Sequence, residues 1–93
     1  MNIKKLPIVK SDKRGIIYNC NSVNFLFRKK GTVSSDHTHK EGEDIFLVEG
    51  EIELTIGNET KKVKAPIKIE IEPNVYHKIV ALTDIRILYH YKQ

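Results

Sequence analysis

The chain has a single cysteine, Cys20, so no disulfide can form within it. That fits a reducing compartment, and a cytoplasmic protein is the expectation. A lone cysteine in an apolar strand region reads as a small hydrophobe. No apolar run approaches the ~18 residues of a membrane span. The stretch from Leu6 to Val9 is interrupted by Pro7 and is far too short for a signal peptide. No segment sustains a helical period, and no internal repeat, linker or low-complexity tract is visible. With 93 residues there is room for one compact domain, 1–93, and none for a second. A core this small is marginal, and a bound metal or a second subunit would add stability.

Acidic charge is scarce everywhere except the middle. Residues 1–30 carry eight Lys/Arg and one acid, residues 31–60 one Lys and eight acids, and residues 61–93 seven Lys/Arg and three acids. The net charge of +4 therefore does not describe a basic patch. Aromatic residues do not interleave with the basic ones as in RNA-binding surfaces, and the acidic middle would repel phosphate. Neither nucleic acid nor a membrane is expected as a partner. The charges read as the solvent faces of paired strands.

What is present is alternation with period two. Ile52, Leu54 and Ile56 alternate with Glu51, Glu53 and Thr55; Ile67, Ile69 and Ile71 alternate with Lys68, Glu70 and Glu72. Ile85, Ile87 and Tyr89 alternate with Arg86, Leu88 and His90. This predicts an all-β chain of short strands, with Pro7, Pro66 and Pro73 at strand ends or turns. Gly57-Asn58-Glu59-Thr60, read as a four-residue hairpin loop, sets Leu54 opposite Val63, Ile52 opposite Ala65 and Glu53 opposite Lys64. Val23 to Arg28 reads as a strand with Phe25 and Phe27 on one side. Gly15 to Tyr18 reads as a shorter one at an edge, and Gly31 to Asp36 as a polar loop.

The chemistry concentrates between Gly31 and His77. His37 and His39, two apart on a strand, would share a face. Glu43 can join them across a short turn, and His77 can arrive from a neighbouring strand. Three imidazoles and one carboxylate converging in a β-scaffold make a divalent-metal site. Nitrogen and carboxylate donors together suit Mn, Fe, Co, Ni, Cu or Zn over Ca or Mg. Four protein ligands on a metal that prefers six leave two positions for water or substrate. His90 fits no ligand position and reads as a solvent-facing or packing residue, and Tyr76 points away from His77. Arg28, Tyr18 and Tyr89 are candidate polar handles of the pocket, although the pattern leaves their facing open.

The order Gly31-x5-His37-x-His39-x3-Glu43-x6-Gly50 resembles, position for position, the first motif of the cupin family. Pro73-Asn74-Val75-Tyr76-His77 is similar to its second motif, with Asn74 where a glycine often follows the proline. Asn is the residue that best replaces Gly in a left-handed turn. Ala65-Pro66 stands where a Gly-Asp turn is common. The resemblance implies a jelly-roll β-barrel (a double-stranded β-helix, RmlC-like) with metal-binding motifs at 31–50 and 66–81. It also implies metal ligands His37, His39, Glu43 and His77 and a homodimeric assembly. The expected function is a divalent-metal-dependent enzyme acting on a small organic molecule, of dioxygenase, isomerase or decarboxylase type, with no catalytic residue assigned beyond the ligands. Two alternatives stand beside it. Asp12-x-Arg14-Gly15 resembles a segment of related nucleotide-sugar isomerases and epimerases, where Arg14 could grip a diphosphate. A non-catalytic module that holds a metal or metabolite is the other, and no helix-turn-helix pattern accompanies it.

Overall fold

In the computed structural model, residues 1–92 form ten strands and no helix. In chain order they are β1 (Ile8–Asp12), β2 (Gly15–Asn19), β3 (Asn24–Arg28), β4 (Val33–His37) and β5 (Gly42–Glu49). There follow β6 (Glu51–Ile56), β7 (Glu59–Lys64), β8 (Ile67–Ile71), β9 (His77–Ala81) and β10 (Ile85–Lys92). They build a six-stranded sheet, β1-β2-β3-β10-β5-β8, and a four-stranded sheet, β4-β9-β6-β7, every pairing antiparallel. Two such sheets enclosing one core give the all-β jelly roll that the resemblance implies. Among the described residues no helix is long and apolar enough to cross a membrane.

The alternating residues become the core. Ile45 and Leu47 of β5 and Ile85 and Ile87 of β10 bury their side chains from the larger sheet, and Ile52, Ile79 and Ala81 do so from the smaller. Each buried isoleucine or leucine contributes about 1.5–3 kcal/mol of transfer free energy, so these two inward rows dominate the stability of the sandwich. The charged residues in between lie outside, as do Lys68 and Glu70 of β8, 3.8 Å apart.

Four local expectations are corrected. The β6–β7 connection has two residues, Gly57 and Asn58, not four. Ile52 therefore pairs with Val63, Leu54 with Lys61 and Glu53 with Lys62. Gly57 has φ +62, the first central position of a type II′ turn, which matches strand twist better than a longer loop. A shift of two residues keeps every side chain on its expected face. β2 is not an edge, because β1 pairs outside it. The segment before His37 is a strand, β4, whose polar residues hide a backbone pairing that needs no apolar pattern. His39 lies in the loop after β4 and not on a strand with His37.

Two turns bear on the site. Gly50, between β5 and β6, has φ +105, and a Cβ there would stand 2.5 Å from the carbonyl oxygen of Asp84, which restricts the position to glycine. Asn74 adopts φ +64, the left-handed turn expected of it ahead of β9.

Candidate metal centre

Three different pieces of backbone deliver the histidines and Glu43 to one end of the sandwich. β4 and β9 pair so that His37 stands opposite His77. The pairing loses register between Ser34 and His37, and Ser35 takes φ +58 there. This is a β-bulge, one extra residue in β4. Ser34 is buried, so strict alternation would turn Asp36 inward and His37 outward; the bulge reverses that and aims His37 at His77. Glu43 belongs to the inward row of β5 with Ile45 and Leu47, which carries a carboxylate into an otherwise apolar row.

The result is a tight cluster. Ring centroids lie 4.9 Å apart for His37–His39, 4.8 Å for His37–His77 and 5.0 Å for His39–His77. One nitrogen from each ring falls within 4.8 Å of the others. Glu43 Oε1 is 3.2 Å from His77 Nε2 and 3.4 Å from His39 Nε2. His77 is 0% exposed and Glu43 4%.

Backbone carbonyls fix the protonation of two rings. His39 Nδ1 lies 2.7 Å from the oxygen of Glu41, and His77 Nδ1 lies 3.1 Å from that of Val75. A carbonyl only accepts, so each Nδ1 carries a proton, and in the neutral ring Nε2 is the lone-pair atom facing the cluster. Those lone pairs and Glu43 Oε1 are buried and have no hydrogen-bond partner. Acceptors facing acceptors at this range are unfavourable, at about 1–3 kcal/mol for each unsatisfied group, until a cation or a proton comes between them. Ligands about 2.1 Å from one ion stand about 3.0–3.4 Å apart at angles between square and tetrahedral. The separations of Glu43 from His77 and His39 match that spacing, so the donor set and its orphaned atoms fit a divalent transition metal.

Electrostatics agree with this fit. Burial pushes the Glu43 carboxyl above its usual range, and the neighbouring His77 and His39 oppose the rise. Burial and the adjacent His39 lower the pKa of His37, partly offset by Asp36, which keeps the ring neutral near pH 7. Tyr91 packs its ring edgewise on His39 at 5.1 Å. Burial and the Glu43 charge push its phenol up to about 12, so it stays protonated beside the cluster.

Beside the cluster opens a cavity of about 270 Å³ lined by His37, Glu43, Arg28, Ser34, Tyr89 and Tyr91, among others, with isoleucines from both sheets as its walls. Of the three polar handles, Arg28 and Tyr89 reach it. Tyr18 does not: it stacks on Phe25 at 6.4 Å. Ser34 and Tyr91 were not singled out from the sequence. Tyr91 had a signal, since it continues the inward Ile85-Ile87-Tyr89 row, whereas Ser34 had none. His90 lies away from the centre, 3.4 Å from Asp44. Tyr76 hydrogen-bonds Asp36 outside the cluster.

The family model described as a cupin domain matches residues 25–91. No curated protein matches the sequence. Among solved structures, the fold is similar to an RmlC-like cupin from Shewanella frigidimarina at 18% identity and a TM-score of 0.80, covering 94% of this chain and 83% of that one. The capsular polysaccharide assembling protein CapF from Staphylococcus aureus aligns at 17% identity and a TM-score of 0.81, over 96% of this chain but 28% of its own. A structure of FeII HppE aligns at 15% identity and a TM-score of 0.73, over 95% of this chain and 57% of that one. At such identities the likeness is one of fold.

Proposed function

Since the chain belongs to the cupin family, we propose that it is a metal-dependent enzyme for a small organic molecule, with His37, His39, Glu43 and His77 as the protein ligands. The observation that carries this reading is the set of three buried, partnerless atoms (His39 Nε2, His77 Nε2 and Glu43 Oε1) turned toward one another. A divalent transition metal held there would supply Lewis acidity and, if redox-active, electron transfer to or from a bound molecule. The residues themselves hold and orient. The Nδ1 bonds to Glu41 and Val75 lock two rings with their lone pairs forward. The cavity beside His37 and Glu43 offers a substrate apolar walls together with a few polar and charged side chains. Oxygenation, isomerisation and decarboxylation are the reaction classes this arrangement serves. The fold-level likeness to FeII HppE places iron first among the metals to test.

The nucleotide-sugar reading finds less support. Asp12 holds the Arg14 guanidinium at 2.8 Å, so the group that would grip a diphosphate is already engaged. A cytoplasmic homodimer is part of the proposal. Cys20 is unpaired, and β1 exposes Ile8 and Val9 along an open sheet edge, preceded by exposed Ile3 and Leu6. Sedimentation velocity of the wild type against an Ile8→Lys/Val9→Lys variant checks the dimer, which should fall to monomer.

Elemental analysis of protein from unsupplemented growth, beside a His77→Ala variant, tests the central claim. Close to one transition-metal equivalent in the wild type and none in the variant is expected. Protein that arrives metal-free and fails to bind Fe, Mn, Co, Ni, Cu or Zn in titration would overturn it.

A further inference from the structure

Arg28 places a second chemical demand on the same cavity. It closes β3 and follows Leu26 in the inward row, so a guanidinium stands where a sandwich ordinarily puts a hydrophobe. The side chain is 3% exposed and lines the cavity with His37 and Glu43. Each of the other two arginines has a carboxylate: Arg14 pairs with Asp12 at 2.8 Å and Arg86 with Glu49 at 3.0 Å. Arg28 has none among the described residues. Its Nη1 donates to the backbone oxygen of Phe27 at 3.3 Å, and its buried Nε has no partner. An arginine keeps its charge under all conditions a folded protein meets. A buried, unpaired cation is therefore a standing cost, tolerated where an anion arrives to meet it.

We propose, resting on the metal reading above, that Arg28 is the receptor for the carboxylate of a small monoanionic organic acid, which lies in the cavity between the guanidinium and the histidine cluster. The charge count sets the valence. Arg14 is already neutralised by Asp12, Lys10 on the cavity lining is exposed, and Glu43 is taken up by the metal, which leaves one buried cation for one negative charge. The planar guanidinium fork matches a planar carboxylate with two parallel hydrogen bonds. A phosphate dianion would bring a second charge that no buried group meets. Size agrees: 270 Å³ holds about nine water-sized groups, enough for a short-chain acid. The apolar walls of Ile17, Leu26, Ile79 and Ile87 suit its carbon skeleton.

The test is calorimetric titration of metal-supplied protein with lactate, pyruvate and propionate, with lactamide as the neutral match of lactate and inorganic phosphate as the competing anion. Carboxylates should bind, lactamide about tenfold or more weakly than lactate. Arg28→Met should lose lactate binding by a similar factor while keeping its metal content, and Arg28→Lys should retain part of it. Without ligand, Arg28→Met should melt no lower than wild type, because it removes an unpaired buried charge. A merely structural arginine would give the opposite pattern, a lower melting temperature with lactate binding unchanged. That result, equal binding of lactate and lactamide, tighter binding of phosphate, or no carboxylate bound up to about 10 mM would each overturn the proposal. If Arg28→Met does not fold, the lactate–lactamide pair on wild type and the Arg28→Lys variant still decide it. Metal content separates the two readings. Full metal with no preference for carboxylates sinks the anion site alone, and Arg28-dependent lactate binding to protein that takes up no metal sinks the metal centre alone.

Discussion

Glu43 and Asp44 are neighbours on β5, both almost buried, at 4% and 7% exposure, and each lies beside a histidine. Their surroundings differ in one respect. Asp44 turns to the outer face, where Lys92 stands 3.2 Å away and brings a cation from the chain itself. His90, 3.4 Å from Asp44, is part of that solvated arrangement. Glu43 turns inward and meets only imidazoles, so the chain supplies it no permanent cation. Acid plus histidine therefore does not define a site. A site is a place where the protein leaves a charge for something else to balance, and the same logic sets Arg28 apart from Arg14 and Arg86.

The contrast can be broken at its strongest point by substitution. Glu43→Gln or His77→Ala should weaken transition-metal affinity by about 100-fold or more, since loss of even an outer partner of a ligand costs 10–100-fold. Asp44→Asn and His90→Ala should leave it within about twofold. Competition titration against a chromophoric chelator gives both numbers, and equal losses on the two faces would erase the distinction.

Metal removal should be the next largest effect. With metal at 1,000 times its dissociation constant, binding adds about 4 kcal/mol to stability, read as a fall in melting temperature on chelation. That gain depends on pH with a sign the cluster sets. In metal-free protein the raised pKa of Glu43 gives stability that is present below its ordinary value of 4.5 and lost as pH rises through its folded value. The lowered pKa of His37 works the other way: stability is present above 6.5 and lost as pH falls through its folded value. Metal needs neutral imidazoles and a free carboxylate, so its affinity should drop below about pH 6.5. The melting difference between loaded and chelated protein should accordingly widen from pH 5 to pH 8. A titration at pH 5 with undiminished affinity would contradict this coordination.

The smallest effect sharpens the comparison most. In metal-free protein, Glu43→Gln removes an unbalanced buried charge and should cost nothing or raise stability by about 1 kcal/mol. Asp44→Asn breaks an ion pair and should lower it by about 0.5–1 kcal/mol. Chemical denaturation of the chelated proteins should show these opposite signs.

Much of this was legible before any fold was in hand. Ile85, Ile87 and Tyr89 point inward as their alternation says, and the motif residues His37, His39, Glu43 and His77 do meet. Where the reading failed, the signal was not local. Val33–His37 is polar, so its strand character lies in its pairing with β9. The hairpin at Gly57 keeps its faces under either register, so the pattern could not choose between them. Arg28 is the instructive case: it is a candidate polar handle in the sequence and it lines the cavity, but the pattern leaves its facing open. Phe25 and Phe27 face away from the core while Leu26 and Arg28 face into it, and Phe27 lies under the exposed Arg86 at 5.1 Å. Hydrophobicity alone would have turned that strand over.

Period-two alternation, turn residues and motif spacing are properties of neighbouring residues, so the sequence by itself determined an all-β chain, its main inward rows and which histidines and acid come together. Tertiary structure alone decided which acid faces imidazole and which faces lysine, that a bulge at Ser35 turns His37 toward His77, and that Arg28 is buried without a carboxylate. Those outcomes depend on which strands pair and on where the two sheets close over them, and such long-range contacts leave no mark in any one segment.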